Sequence, residues 1–115
     1  MNQFLQGDRR IYYRHRGKAS VVLRRDCVAA IPTLPGRVGD VSVNGVGLAL
    51  AAPAKVDEFV TLEMDNPLNH MKVRLRARVR RVLPLEDGGF HVGCSLLMKL
   101  SEKQVRGLER GPMEL

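Results

Sequence analysis

The clearest pattern in this chain is a two-residue alternation of apolar and basic side chains over residues 71–80. Such a period is typical of a β-strand with one face buried and the other exposed to solvent. The phase breaks at Arg81, which predicts a β-bulge or a twist near that residue. An exposed row of cations is typical of a solvated sheet face and opposes edge-to-edge pairing. The row comprises Lys72, Arg74, Arg76, Arg78 and Arg80.

Shorter segments with similar strand patterns predict five more strands. These segments are residues 18–25, 37–43, 46–51, 58–64 and 90–98. Residues 26–36 contain Pro32 and Pro35, and we expect an irregular connection or an edge there because proline cannot donate to a sheet ladder. Ser101 is followed by an amphipathic stretch, so residues 101–110 are predicted to form a short N-capped helix.

Six short strands without intervening helices, followed by one helix, predict an all-β fold with a terminal helix. We expect a small six-stranded antiparallel split β-barrel over residues 17–100, with the helix covering its open end. At 115 residues the chain is long enough for one domain with a core and too short for two. Residues 1–16 show no sustained period and are expected to form a flexible, arginine-rich arm ahead of the barrel.

Residues 40–47 carry the polar groups of a predicted hairpin between the second and third strands. Asn44-Gly45 favours a tight primed turn because both residues tolerate positive φ. Asp40 and Ser42 lie two positions apart and share one face, where a carboxylate beside a hydroxyl suits the amide edge of guanine. Alternatively, both side chains only bond their own loop. One face of the third strand leaves room beside the turn for a ligand or for another element of the protein; it consists of Gly45, Gly47, Ala49 and Ala51.

The net charge of +7 is concentrated in two segments. Residues 1–25 carry seven basic side chains and one acidic side chain, and residues 70–83 carry six basic side chains and no acidic one. Clustered positive charge attracts anions, which admits a dinucleotide with two phosphates, a nucleic acid or an acidic protein. Single-strand nucleic-acid binders display aromatic stacking platforms, whereas aromatic residues make up 4% of this chain and tryptophan is missing. The composition therefore argues against nucleic acid as the partner.

The sequence shows no arrangement of residues typical of a catalytic or metal site. The three histidines are scattered, and Cys27 and Cys94 are far apart, so both cysteines are expected to be reduced and structural. The glycine-rich segment 39–47 lacks the lysine and hydroxyl of a phosphate-binding P-loop. We therefore expect a protein that is not an enzyme and holds no metal or cofactor. No apolar run is long enough to cross a bilayer and no signal-peptide pattern follows Met1, so a cytoplasmic location without membrane insertion is expected.

Four arginines lie within eight residues ahead of the first strand, and Arg10 and Arg14 among them are spaced four apart. Arg10-x-x-x-Arg14 followed by Asp40-x-Ser42-x-x-Gly45 resembles the two-part signature of the PilZ domain, a bacterial receptor for cyclic di-GMP. Both halves are complete, and they occur in the right order and in one register only. The resemblance covers nearly the whole chain and implies a stand-alone PilZ-like barrel with a terminal helix.

The resemblance also implies roles for individual residues. Arg10 and Arg14 would hold phosphate oxygens and the O6/N7 edge of guanine, for which the fork of arginine is well suited. Asp40 would accept from the N1 and N2 donors of a guanine. Ser42 would add a hydrogen bond, and Gly45 would permit the turn.

Arg9 is a further candidate phosphate contact in the arm. In this hypothesis the ligand orders the arm and changes the surface near the N-terminus. An unidentified protein partner would recognise that change, for example in the control of motility or surface attachment. Two alternatives remain: a PilZ-like protein-interaction module that binds no ligand, and a small basic barrel that binds nucleic acid.

Overall fold

The computed structural model describes residues 19–26, 31–86 and 88–109, and these residues form a closed antiparallel barrel with one α-helix. The strands are β1 (Ser20–Arg25), β2 (Thr33–Val41), β3 (Gly45–Leu50), β4 (Phe59–Asn66), β5 (Met71–Pro84) and β6 (Phe90–Leu96). A 3-10 helix at Pro67–Asn69 joins β4 to β5, and helix α1 spans Glu102–Glu109. The strands pair in the order β1-β2-β3-β6-β5-β4, and β4 closes the barrel onto β1. The predicted barrel with its terminal helix is confirmed.

The interior of the barrel is filled by the apolar side chains that alternate along the strands. Leu23, Leu48 and Leu62 have no exposed surface, and Val79 and Val92 are equally buried. In a six-stranded barrel these inward side chains occupy the space between the walls. Any surface for a ligand is therefore on the outside of the barrel or at its ends.

The expectation that residues 26–36 are irregular or an edge is confirmed only in part, because β2 begins at Thr33 and includes Pro35, at a position that is an edge on its β3 side. The amide of Val38 donates to the carbonyl of Ala19 (3.0 Å), and bonding positions alternate along an antiparallel pair. Pro35 is three residues before Val38, so its nitrogen faces away from β1. On that other side, pairing with β3 begins only at Gly36. The proline therefore occupies a strand position where no ladder bond is lost.

The predicted bulge in β5 is confirmed. The pairing of β5 with β6 shifts register between Val79 and Arg81. Arg80 is the inserted residue, and after it the alternation resumes with Val82 opposite Val92. A second shift, which the sequence did not indicate, lies in β2 between Val38 and Asp40.

Helix α1 begins at a capping box and packs against β2, β4 and β5. The Ser101 hydroxyl accepts from the Gln104 amide (3.1 Å), and the Gln104 side chain accepts from the Ser101 amide (2.9 Å). This reciprocal pair satisfies two donors at the helix start. Leu100 and Leu108 are buried against the barrel. The predicted helix and its cap are thus confirmed over Glu102–Glu109.

The last turn of α1 is bonded to the side chains of two asparagines. The Asn66 side chain, which is fully buried, donates to the carbonyl of Gly107 (2.8 Å), and the Asn69 side-chain amide donates to the same oxygen (3.1 Å). A Cβ on Gly107 would lie 2.6 Å from the Met71 methyl carbon, so glycine permits this close approach. No helix in the described part of the chain has the length and apolar character needed to cross a membrane.

Candidate ligand-binding site

Four outward-facing residues form a continuous row across β2, β3, β6 and β5. Asp40 is paired with Gly47, Gly47 with Gly93, and Gly93 with Arg81. We call this set the Asp40–Arg81 row. Its centre is two glycines without side chains, and its ends are an acid and a base. Neighbouring strands lie about 4.8 Å apart, so three spacings place the α-carbons of the two ends about 14 Å apart along the barrel wall.

The two bulges determine which residues stand at the ends of the row. Without the shift in β2, Gly39 would face Gly47 and Asp40 would turn toward the interior. Without the shift in β5, Arg80 would face Gly93 in place of Arg81. Bulges commonly re-aim side chains next to binding sites. Here they bring two charged groups of opposite sign to either side of the Gly47–Gly93 pair.

A pocket of about 520 Å³ lies over this row, on the outer wall of the barrel. It extends from His91 toward the hairpin between β2 and β3, where Ser42, Gly45 and Ser95 line it. Gly45 and Ser95 are a cross-strand pair, so the next row is also made of small residues. The volume falls within the range of small-molecule sites. This outer-wall pocket is the candidate site.

The hairpin beside the pocket differs from the predicted primed turn. The positive-φ residues of the described segments are Asp57, His70, Gly88 and Gly89, so neither Asn44 nor Gly45 adopts the left-handed conformation. The Ser42 amide instead donates to the Gly45 carbonyl (2.8 Å), and the Ser42 hydroxyl accepts from the Gly45 amide (3.1 Å). Gly45 serves a close approach, because a Cβ there would lie 3.0 Å from the carbonyl oxygen of Cys94.

Ser42 and Asp40 therefore differ in what they offer a ligand. The Ser42 hydroxyl is engaged with its own loop, as the local alternative predicted, although it remains exposed on the pocket wall. Asp40 is exposed, and no described residue hydrogen-bonds its carboxylate. A carboxylate has acceptor sites for two donors from one molecule. Of the two side chains, Asp40 is the one whose acceptor sites are not used by a described residue.

His91, which the sequence did not single out, lines the pocket and places its imidazole against the two glycines at the centre of the row. It is on the outer face of β6 and yet only 3% exposed. A Cβ on Gly47 would lie 2.8 Å from its Cε1, and a Cβ on Gly93 would lie 3.5 Å from its Nε2. Burial, together with the charge of Arg81, lowers the pKa of His91, whereas the charge of Asp40 raises it. The imidazole thus lies between the two ends of the row, and the charges at both ends affect its pKa.

The arginines of β5 fall into two groups. Arg74 pairs with Glu63 (3.4 Å), Arg78 pairs with Asp57 (3.2 Å), and Arg76 pairs with Asp26. By contrast, none of the described residues forms an ion pair with Arg80 or Arg81, and both line the pocket. The predicted solvated row therefore has two parts. Arg74, Arg76 and Arg78 are paired with carboxylates, whereas Arg80, like its neighbour Arg81, has no carboxylate partner among the described residues.

The structure places three of the predicted ligand residues in this pocket, namely Asp40, Ser42 and Gly45. Arg9, Arg10 and Arg14 lie outside the described residues, so their roles stay predictions. Cys94 is buried with a free thiol, as expected, and Cys27 also lies outside the described part.

These features define a small antiparallel β-barrel with a ligand-sized pocket on its outer wall, bounded by an acid and two arginines. The chain belongs to the PilZ domain family, whose model matches residues 8–111. PilZ domains are a family of cyclic di-GMP receptors and are typically not enzymes. The matched segment includes both halves of the arginine and Asp-x-Ser-x-x-Gly pattern. A comparison with curated proteins found no match.

Proposed function

We propose that this PilZ domain is a cytoplasmic receptor for cyclic di-GMP and that the outer-wall pocket is its binding surface. The observation that carries the proposal is the Asp40 carboxylate. It is exposed and free of hydrogen bonds from described residues, and it lines an open pocket beside Gly47, against which the His91 imidazole packs. An unpaired carboxylate in an open pocket suits a planar base with two adjacent N–H donors.

Guanine has this chemistry. Its N1–H and N2–H groups point the same way and can both bond to one carboxylate. Adenine presents an acceptor at N1, and that acceptor would face the Asp40 carboxylate unfavourably. The phosphates of the ligand carry the charge that the arginines would compensate. The pocket therefore favours a guanine nucleotide with phosphates over an adenine nucleotide of the same shape.

The route of the chain into β1 supports a role for the arm. Ala19 is hydrogen-bonded to Val38, which is two residues from Asp40 on β2. Arg14 is five residues before Ala19 in sequence, and an extended chain spans at most about 3.5 Å per residue. The five-residue connection therefore allows a reach of at most about 17 Å from Ala19. We infer that Arg10 and Arg14, with Arg9 as a further contact, close over the ligand and that a protein partner recognises the ordered arm.

Calorimetric titration of the full chain tests this function. Cyclic di-GMP should bind, and cyclic di-AMP, which has the same backbone and charge, should bind at least tenfold more weakly. Asp40→Asn should weaken cyclic di-GMP by about 10- to 150-fold, because a bond to a charged group contributes about 1.5–3 kcal/mol. Glu109→Gln removes an exposed carboxylate on α1 and is the matched control. Equal affinity for the two dinucleotides would reject the guanine assignment.

The arm has its own test. Arg10→Ala and Arg14→Ala should each remove measurable binding while the melting temperature stays close to that of the wild type. Unchanged affinity would reject their assigned roles. If the wild type binds no dinucleotide, the protein-interaction alternative gains support; oligonucleotide binding that survives moderate salt would support the nucleic-acid alternative.

A further inference from the structure

We propose that Arg81, with Arg80 beside it, forms a phosphate-binding subsite on the barrel itself, at the end of the pocket opposite Asp40. This inference rests on the proposed function and assigns a role to residues outside the arginine and Asp-x-Ser-x-x-Gly pattern. It means that the barrel holds both ends of a ligand: the base at Asp40 and a phosphate at the β5 bulge.

The first support is the bulge. In a regular strand, consecutive side chains point to opposite faces. The shift between Val79 and Arg81 removes this alternation at one step, so Arg80 and Arg81 both face outward and both line the pocket. Two adjacent guanidinium groups on one face repel each other. An anion that neutralises both would relieve that repulsion.

The second support is the contrast along β5. Three other outward arginines of the strand have a carboxylate within the described barrel, whereas the two at the bulge have none. They are Arg74, Arg76 and Arg78. Uncompensated cations lining a concave surface raise the local concentration of anions. Their position in the pocket distinguishes them from solvated surface charges.

The third support is the space that Gly93 leaves for Arg81. A Cβ on Gly93 would lie 3.8 Å from Arg81 Cβ and 4.0 Å from Arg81 Nε. The arginine side chain is therefore close to the centre of the row and does not extend away from it. His91, on the same face, has its pKa lowered partly by this charge, which agrees with the short separation. A guanine that meets Asp40 with its Watson–Crick edge has its ribose on the side away from the carboxylate, and in this proposal the phosphate lies toward Arg81.

The test is calorimetry of full-length variants with cyclic di-GMP at low and moderate salt. Arg81→Ala and Arg81→Gln should each weaken binding by about 10- to 100-fold, since both remove a charge-assisted bond. The affinity of either variant should also fall less steeply with salt than that of the wild type, because one ionic contact is missing. Arg74→Ala, in the same strand but outside the pocket, is the control and should bind like the wild type.

The outcomes separate this inference from the proposed function. Wild-type binding with Arg81 variants within twofold of Arg74→Ala would overturn the subsite and leave the receptor function standing. Weaker binding with an unchanged salt dependence would overturn the assignment to a phosphate. No binding by the wild type would reject the receptor function and the subsite together. Melting temperatures of the Arg81 variants should match the wild type because the side chain is exposed and forms no described ion pair.

Discussion

The substitution Gly93→Ala should separate ligand affinity from stability. Gly93 stands at the centre of the Asp40–Arg81 row and has no left-handed φ that alanine would strain. The added Cβ would lie 3.5 Å from His91 Nε2 and 3.8 Å from Arg81 Cβ, which are ordinary contact distances. Glycine within a strand is less favourable than alanine by about 0.5–1 kcal/mol. The variant should therefore fold with unchanged or slightly higher stability.

The effect on the ligand has the opposite sign. A ligand that reaches from Asp40 toward Arg81 would pass Gly93 beside the His91 imidazole, in contact at about 3.5–4.0 Å between carbon atoms. The new methyl group projects from the wall by about one carbon–carbon bond, close to 1.5 Å. A base lifted by that amount moves its N–H groups beyond hydrogen-bond distance of Asp40. Loss of a bond to a charged acceptor costs about 1.5–3 kcal/mol, which corresponds to about 10- to 150-fold in affinity.

Two measurements on each of two variants give a crossed design. Gly93→Ala should bind cyclic di-GMP weakly in calorimetry and unfold in urea at or above the wild-type midpoint. Gly88→Ala is the contrast, because its φ of +100 disfavours a side chain while nothing lies within 4 Å of the new Cβ. It should lose about 1–3 kcal/mol of stability and keep its affinity, since Gly88 does not line the pocket. Wild-type affinity in Gly93→Ala would refute a ligand path from Asp40 past Gly93 toward Arg81.

Three further predictions concern groups around the site and the helix. Burial, followed by the Arg81 charge, lowers the pKa of His91 below its usual 6.5, so the unfolded chain takes up a proton near that pH that the folded chain does not. The wild type should consequently lose stability relative to His91→Gln as the pH falls from 6.5 toward the folded-state pKa; parallel urea midpoints at pH 7.5 and 5.5 would contradict this. Burial, with a smaller effect from the charge of Glu58, raises the pKa of Cys94 to about 12; in a Cys27→Ser background the thiol should resist iodoacetamide at pH 8 until urea is added, and rapid labelling of the folded protein would count against it. Asn66→Ala removes the buried 2.8 Å bond to the last turn of α1 and should cost about 1–3 kcal/mol in urea unfolding, a reasoning that a loss below about 0.5 kcal/mol would refute.

The barrel could be predicted because each strand is marked by a pattern in its own sequence. The strict period over residues 71–80 requires one buried face, and the break at Arg81 marks the bulge without knowledge of the partner strand. The predicted primed turn was wrong, and the expectation for the stretch around Pro35 was confirmed only in part, for a related reason. Pro35 is tolerated because of where the pairing with β3 begins, and Gly45 is required by the carbonyl of Cys94. Both constraints come from other strands, so residue preferences alone could not supply them.

The candidate site was predicted only in part, because it depends on register across four strands. Asp40 and Ser42 were found through their spacing and the family resemblance. The opposite end of the row was not, since Arg81 follows Asp40 by 41 positions and meets it only through the pairs at Gly47 and Gly93. His91 looked like a scattered histidine. The one signal that could have found it is the glycine two residues later, which clears the same face of the strand.

The packed interior explains why the barrel would bind on its wall and why a second covering element is expected. Leu23, Leu48 and Leu62 leave the interior to apolar side chains, so a ligand is confined to the outer face or the ends of the barrel, and the pocket lies on the outer face. An open wall covers one side of a molecule, whereas small-molecule sites commonly bury 70–90% of their ligand. The missing cover has to come from another part of the chain or from a partner. The chain enters β1 beside β2 at the level of Val38, so a preceding segment that bears Arg10 and Arg14 is the nearest candidate in sequence. In the proposed complex the barrel would determine which base is accepted, and the arm would determine how slowly the ligand dissociates.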